Sequence, residues 1–90
     1  MSTATHKPDH TRADRIHALF MRNARRFRDV EFASRLAREQ LTKLPISHPD
    51  YAPLSAIADR AQASMATLNA RSIRLARAEI AAVLGGAHHA

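Results

Sequence analysis

Along most of this chain, apolar and small residues recur in alternating steps of four and three. The first run is Ile16, Phe20, Asn23, Phe27, Val30, Ser34, Ala37, Leu41 and Leu44. The second is Leu54, Ala58, Ala61, Met65, Leu68, Ser72, Leu75, Glu79 and Ala82. Such steps keep to one stripe of an α-helix, and a stripe sustained this long belongs to a helix laid along another helix. The strict alternation of a half-buried strand occurs nowhere.

Local punctuation sets the bounds. Thr11 offers a hydroxyl to orphan N–H groups and Asp14 places a carboxylate in the first turn, so a helix is predicted to start at residue 11. No proline or glycine follows until Pro45, which ends a helix predicted over 11–44. The segment 45–53 holds three prolines and is predicted to turn, with an irregular piece near Ser47 to Asp50. Pro53 suits the first turn of a second helix, predicted over 54–84. Gly85 and Gly86 stand where a left-handed residue commonly closes a helix. Residues 1–10, polar and holding Pro8, and residues 85–90 are expected to be flexible tails.

Two helices of matching length and a short connection predict an all-α antiparallel hairpin, each arm roughly 45 Å long. Folding about residue 48 sets Phe27 opposite Leu68 and Ser72, and Leu41 opposite Leu54 and Ala58. It also sets Asn23 opposite Ser72 and Leu75, a polar layer of the kind that fixes register. Glu79 is the odd member of its stripe. It is expected to meet Arg15 or Arg22, or to face water if the seam drifts.

One seam does not absorb all the apolar residues. Met21, Phe32 and Leu36 fall on the back of the first helix among Arg25 and Arg28, while Ile73, Ile80 and Leu84 fall off the second seam. Contiguous exposed apolar surface marks interaction sites. A homodimer, as a four-helix bundle, or a higher oligomer is therefore expected. The predicted protein interface is Met21, Arg25, Arg28, Phe32, Leu36, Ile73 and Ile80.

Composition strengthens that expectation. Ninety residues make one domain. Apolar residues are 46% of the chain, but 19 of them are alanine, and Leu, Ile, Val and Phe together number only 18. So thin a core wants a staple. There is no cysteine to make a disulfide or a thiolate metal site, which leaves association as the staple. No apolar run reaches membrane-spanning length, and Met1 to His10 lacks the apolar segment of a secretory signal. A cytoplasmic location is expected.

The net charge of +6 is carried by 12 arginines and 2 lysines. A basic chain favours anionic partners, although an Ala- and Arg-rich composition also follows from GC-rich coding. The densest cluster is Arg22, Arg25, Arg26 and Arg28. With Arg71, Arg74 and Arg77 it forms the alternative candidate surface, for RNA or DNA. On a helix the first four splay over more than half the circumference, a spread better suited to wrapping RNA or meeting an acidic partner than to tracking one groove.

Residues 54–75 resemble the helix-turn-helix DNA readers in the spacing of Ile57, Ala58, Ala61, Ser64, Leu68 and Asn69. The resemblance implies a break in helicity near Gln62, which replaces that family's turn glycine, and a recognition helix bearing Arg71 and Arg74. In its size, two long helices and proline-bearing turn, the whole chain also resembles the needle subunits of type III secretion. That likeness implies assembly into helical filaments.

Six histidines raise the question of metal. A hairpin brings His6, His10 and His17 towards His88 and His89, with His48 alone in the turn, and gathered imidazoles can hold zinc, nickel or copper. Pro8 opposes a helical His6–His10 pair and no carboxylate completes a set, so neither metal site nor cofactor is expected. There is no nucleophile–base–orienter set, no Gly-rich phosphate loop and no His-Glu-x-x-His pattern. The expectation is a non-enzymatic hairpin acting through protein contacts, as an adaptor, regulator or assembly subunit.

Overall fold

In the computed structural model, which describes residues 11–88, the chain forms two helices, α1 over Thr11–Leu41 and α2 over Tyr51–His88. They pack against each other along their length in a slender body measuring 72 × 19 × 14 Å. All eighteen residues of the two stripes are buried or half-buried. The alternation of four and three therefore does mark the seam, and α1 faces α2 with one continuous edge.

The helix ends differ from the expected bounds. Leu44 was expected inside the first helix, but α1 stops at Leu41. Beyond it the chain tightens: Lys43 N donates to Gln40 O at 3.0 Å and Leu44 N to Leu41 O at 3.4 Å, bonds spanning three residues. Pro45 is the cause, because its ring disfavours α geometry at the preceding residue and it has no N–H to donate. The turn is short and held by three hydrogen bonds. His48 N reaches Pro45 O at 2.9 Å, Tyr51 N reaches His48 O at 3.0 Å, and the His48 ring Nδ1 accepts from Asp50 N at 3.0 Å.

At the other side of the turn, α2 begins at Tyr51, three residues before the expected start. Asp50 takes the cap position, its carbonyl accepting from Leu54 N at 3.1 Å. Pro53 then lies in the first turn, where its missing N–H costs no hydrogen bond. The expected stop at Gly85–Gly86 does not occur, and α2 runs through both to His88. A glycine weakens a helix by about 1 kcal/mol against alanine without forbidding it. Only a left-handed φ would make it a cap, and no glycine among the described residues has one. The expected tail 85–90 is thus helical to residue 88; the expected tail 1–10 lies outside the described residues.

A Cβ added at Gly85 would meet nothing within 4 Å, so Gly85→Ala is expected to stabilise the hairpin by about 0.5–1 kcal/mol. Thermal unfolding followed by circular dichroism checks it; a lower midpoint would mean that α2 is not helical at this position.

The seam is built of small side chains. Ala13, Ala37, Ala58, Ala61, Asn23 and Ser34 are buried, and among the described residues no large side chain is fully so. Large members of the stripe, such as Phe27, Val30 and Leu68, are half-buried. Two rods touch along one line, so each large side chain keeps one flank open. Meanwhile Phe32 is 62% exposed, Ile80 59% and Leu84 53%.

Candidate functional site

Two flanks run along the seam, and their chemistry differs. On one flank, Met21, Ala24, Phe27 and Arg28 of α1 form a hollow with Asn69 and Ser72 of α2. Farther towards the open end, His17 and Phe20 form a second hollow with Ala76, Glu79, Ile80, Val83 and Leu84. Residues 69, 73, 76, 80 and 84 of α2 are spaced by four, three, four and four, so they share one helix face. Ile73 therefore stands between the two hollows and joins them into one apolar track.

Glu79 closes this track on the seam side. His17 Nδ1 lies 3.1 Å from its Oε2 and 3.2 Å from its Oε1. A carboxylate can only accept, so Nδ1 carries the proton of this bond. Neither Arg15 nor Arg22, the expected partners, makes the contact, and Glu79 does not drift into water: its side chain is 30% exposed. His17 also stacks on Phe20, with ring centroids 6.5 Å apart.

On the opposite flank, Leu19, Arg22, Arg26 and Val30 of α1 face Ser64, Thr67, Leu68 and Arg71 of α2 across a groove of about 530 Å³. Asn23 forms part of its wall. Its Nδ2 donates to Leu68 O at 2.7 Å and to Ser72 Oγ at 2.8 Å, so the expected polar layer ties the two helices directly. The Thr67 hydroxyl donates to Ala63 O at 3.2 Å and can only accept from a visitor.

No carboxylate lines this groove. The arginine ion pair among the described residues is Arg35 with Glu31, at 3.9 Å; Arg22, Arg26 and Arg71 have none. Nearer the turn, Arg38 Nη2 donates to Gln62 Oε1 and links the helices there.

The seven arginines of the candidate nucleic-acid surface are thus divided. Arg22, Arg26 and Arg71 converge on the groove, Arg28 lines the apolar track, and Arg25, Arg74 and Arg77 are exposed outside both. The candidate protein interface divides too. Met21, Arg28, Ile73 and Ile80 share the apolar flank. Phe32 lies nine residues from buried Asn23, which puts it on the outer side of α1, with Leu36 one turn on and Arg25 two turns back. Sequence reasoning missed Phe20, Val83 and the His17–Glu79 pair as parts of the apolar flank, and Leu19, Val30 and Ser64 as parts of the groove.

Helix α2 is continuous through Gln62, so the break implied by the helix-turn-helix resemblance is not there. His6, His10 and His89, with the His88 side chain, lie outside the described residues. Among the described residues no three His, Cys, Asp or Glu side chains gather to hold a metal ion, and no helix is long and apolar enough to cross a membrane. No family model, no curated protein and no solved structure matches this chain.

Proposed function

We propose that this chain is a non-enzymatic helical hairpin that self-associates and works through protein contacts, as an adaptor or assembly subunit. The observation that carries the proposal is the mismatch between what the seam buries and what it leaves out. Among the described residues the buried hydrophobic set is four alanines, whereas Met21, Ile73, Ile80, Val83 and Leu84 stay exposed on one flank. A hairpin that buries little holds its helices weakly, and a second copy laid on this flank supplies the missing core.

A twofold arrangement suits the surface. The apolar track is interrupted by the His17–Glu79 pair, whose hydrogen bond is satisfied within one copy, and by Arg28, Asn69 and Ser72 farther along. The opposite flank cannot serve, because two copies would bring Arg22, Arg26 and Arg71 against their own kind. Pairing through the apolar flank makes a four-helix bundle with each arginine groove on the outside. Phe32 and Leu36, on the outer side of α1, then remain as a hydrophobic contact for a different protein, with Arg25 at its edge.

Sedimentation equilibrium on the full chain tests the reading. A dimer or larger species is expected at micromolar concentration, and it should persist in salt because apolar burial is not screened. A compact, stable monomer at tens of micromolar overturns the proposal.

A further inference from the structure

We infer that the groove between Arg22, Arg26 and Arg71 binds the phosphate backbone of a single-stranded nucleic acid, without regard to base sequence. The inference does not depend on self-association, which uses the other flank.

The charge pattern is the first argument. Arg22 and Arg26 are four residues apart on α1, a like-charge pair that weakens an isolated helix. Arg71 adds a third positive charge across the groove, and no carboxylate of the described residues pairs with any of the three. Most arginines of the described residues lack an ion pair, Arg35 with Glu31 being the one that has it; these three differ in converging on one concave surface. An anion from outside would neutralise the cluster that the fold leaves open.

The chemistry of the donors is the second. Guanidinium groups present a planar fork that matches phosphate oxygens, and the Ser64 hydroxyl adds a smaller donor beside them. Between the arginines lie Leu19, Val30 and Leu68, an apolar bed on which the flat face of a base can rest while its phosphate meets the rim. The shape decides between strands. A duplex is read by a protruding helix or ribbon entering its groove, whereas a concave cleft between two helices admits one strand. No aromatic side chain lines the groove, so the base stacking that non-selective single-strand binders add to a basic groove is missing, and contact with the phosphates, which carry no base identity, supplies the binding.

The test is fluorescence anisotropy with a labelled oligouridine of about 15 nucleotides, long enough to cover a few OB-fold-sized sites, and the full chain at low salt. Binding is expected, with the logarithm of affinity falling against that of salt with a slope of about −2, the release expected for three single-strand phosphates. Arg22→Gln, Arg26→Gln and Arg71→Gln together should weaken it at least about tenfold. These changes remove repulsion and leave the seam alone, so circular dichroism should show the helices intact. Arg25→Gln, Arg74→Gln and Arg77→Gln together remove the same charge outside the groove and should cost much less.

Three results would overturn the inference: no binding of the oligonucleotide, equal loss in the two triple variants, or tighter binding of polyglutamate or of a duplex than of the single strand. Equal loss would assign binding to net charge, and preference for polyglutamate would assign the groove to an acidic protein.

Discussion

Ile80→Asp is expected to turn the associated hairpin into a monomer. Ile80 is 59% exposed and lies in the middle of the apolar flank, with Phe20, Ala76, Val83 and Leu84 around it. Full burial of an isoleucine is worth about 1.5–3 kcal/mol. In a twofold assembly the change occurs in both copies, so about 3–6 kcal/mol is at stake, or a dissociation constant raised by at least about 100-fold. The new carboxylate also enters the hollow that Glu79 lines, adding like charge there. Because Ile80 is outside the seam, helicity should survive, and sedimentation equilibrium with circular dichroism reads both outcomes. Leu36→Asp, on the outer side of α1, is the control. If that variant dissociates and Ile80→Asp does not, the copies meet through α1 instead.

The second large effect concerns the seam. Ala37 is 4% exposed and belongs to the row of small side chains that lets the helices approach. Leucine and alanine have nearly equal helix propensity, so Ala37→Leu leaves local helicity alone and changes only the fit. Overpacking of this kind costs about 1–3 kcal/mol, a large share of the roughly 5 kcal/mol at the low end for natural domains. The thermal midpoint should fall by about 4–8 °C for each kcal/mol in a chain of this size. Ala33→Leu, at an exposed position of the same helix, should change little. A higher midpoint for Ala37→Leu would mean that the seam holds a cavity.

Much of the fold was legible because a period of four and three leaves little freedom. Once the stripe is read, the seam, the antiparallel arrangement and the Asn23–Ser72 layer follow from folding the chain about residue 48. The ends were less legible. Pro45 restricts residues before itself, so the helix closed earlier than the proline alone indicated, and Gly85–Gly86 is a cap only when φ turns positive.

The surfaces were read least well, and for a physical reason. Arg22, Arg25, Arg26 and Arg28 look like one cluster along the chain, but a helix sorts them by angle. Of the four only Arg22 and Arg26 line the groove, and their third partner, Arg71, comes from the other helix. The same folding that placed Asn23 by Ser72 sets 22–26 beside 69–73, so the signal was present in the register rather than in the cluster. In the sequence His17 groups with the terminal histidines, a set considered for metal and set aside, and that grouping hides it as the partner of Glu79.

A body 72 Å long and at most 19 Å wide moves through solvent with far more friction than a ball of equal mass. Its radius of gyration is 20.6 Å, against about 12 Å for a globular chain of this length. Tumbling about the long axis and across it must proceed at different speeds, so amide relaxation in α1 and α2, whose N–H bonds point along that axis, should report the slower end-over-end motion. Side-by-side pairing thickens the rod and lessens this anisotropy, whereas end-to-end joining would increase it.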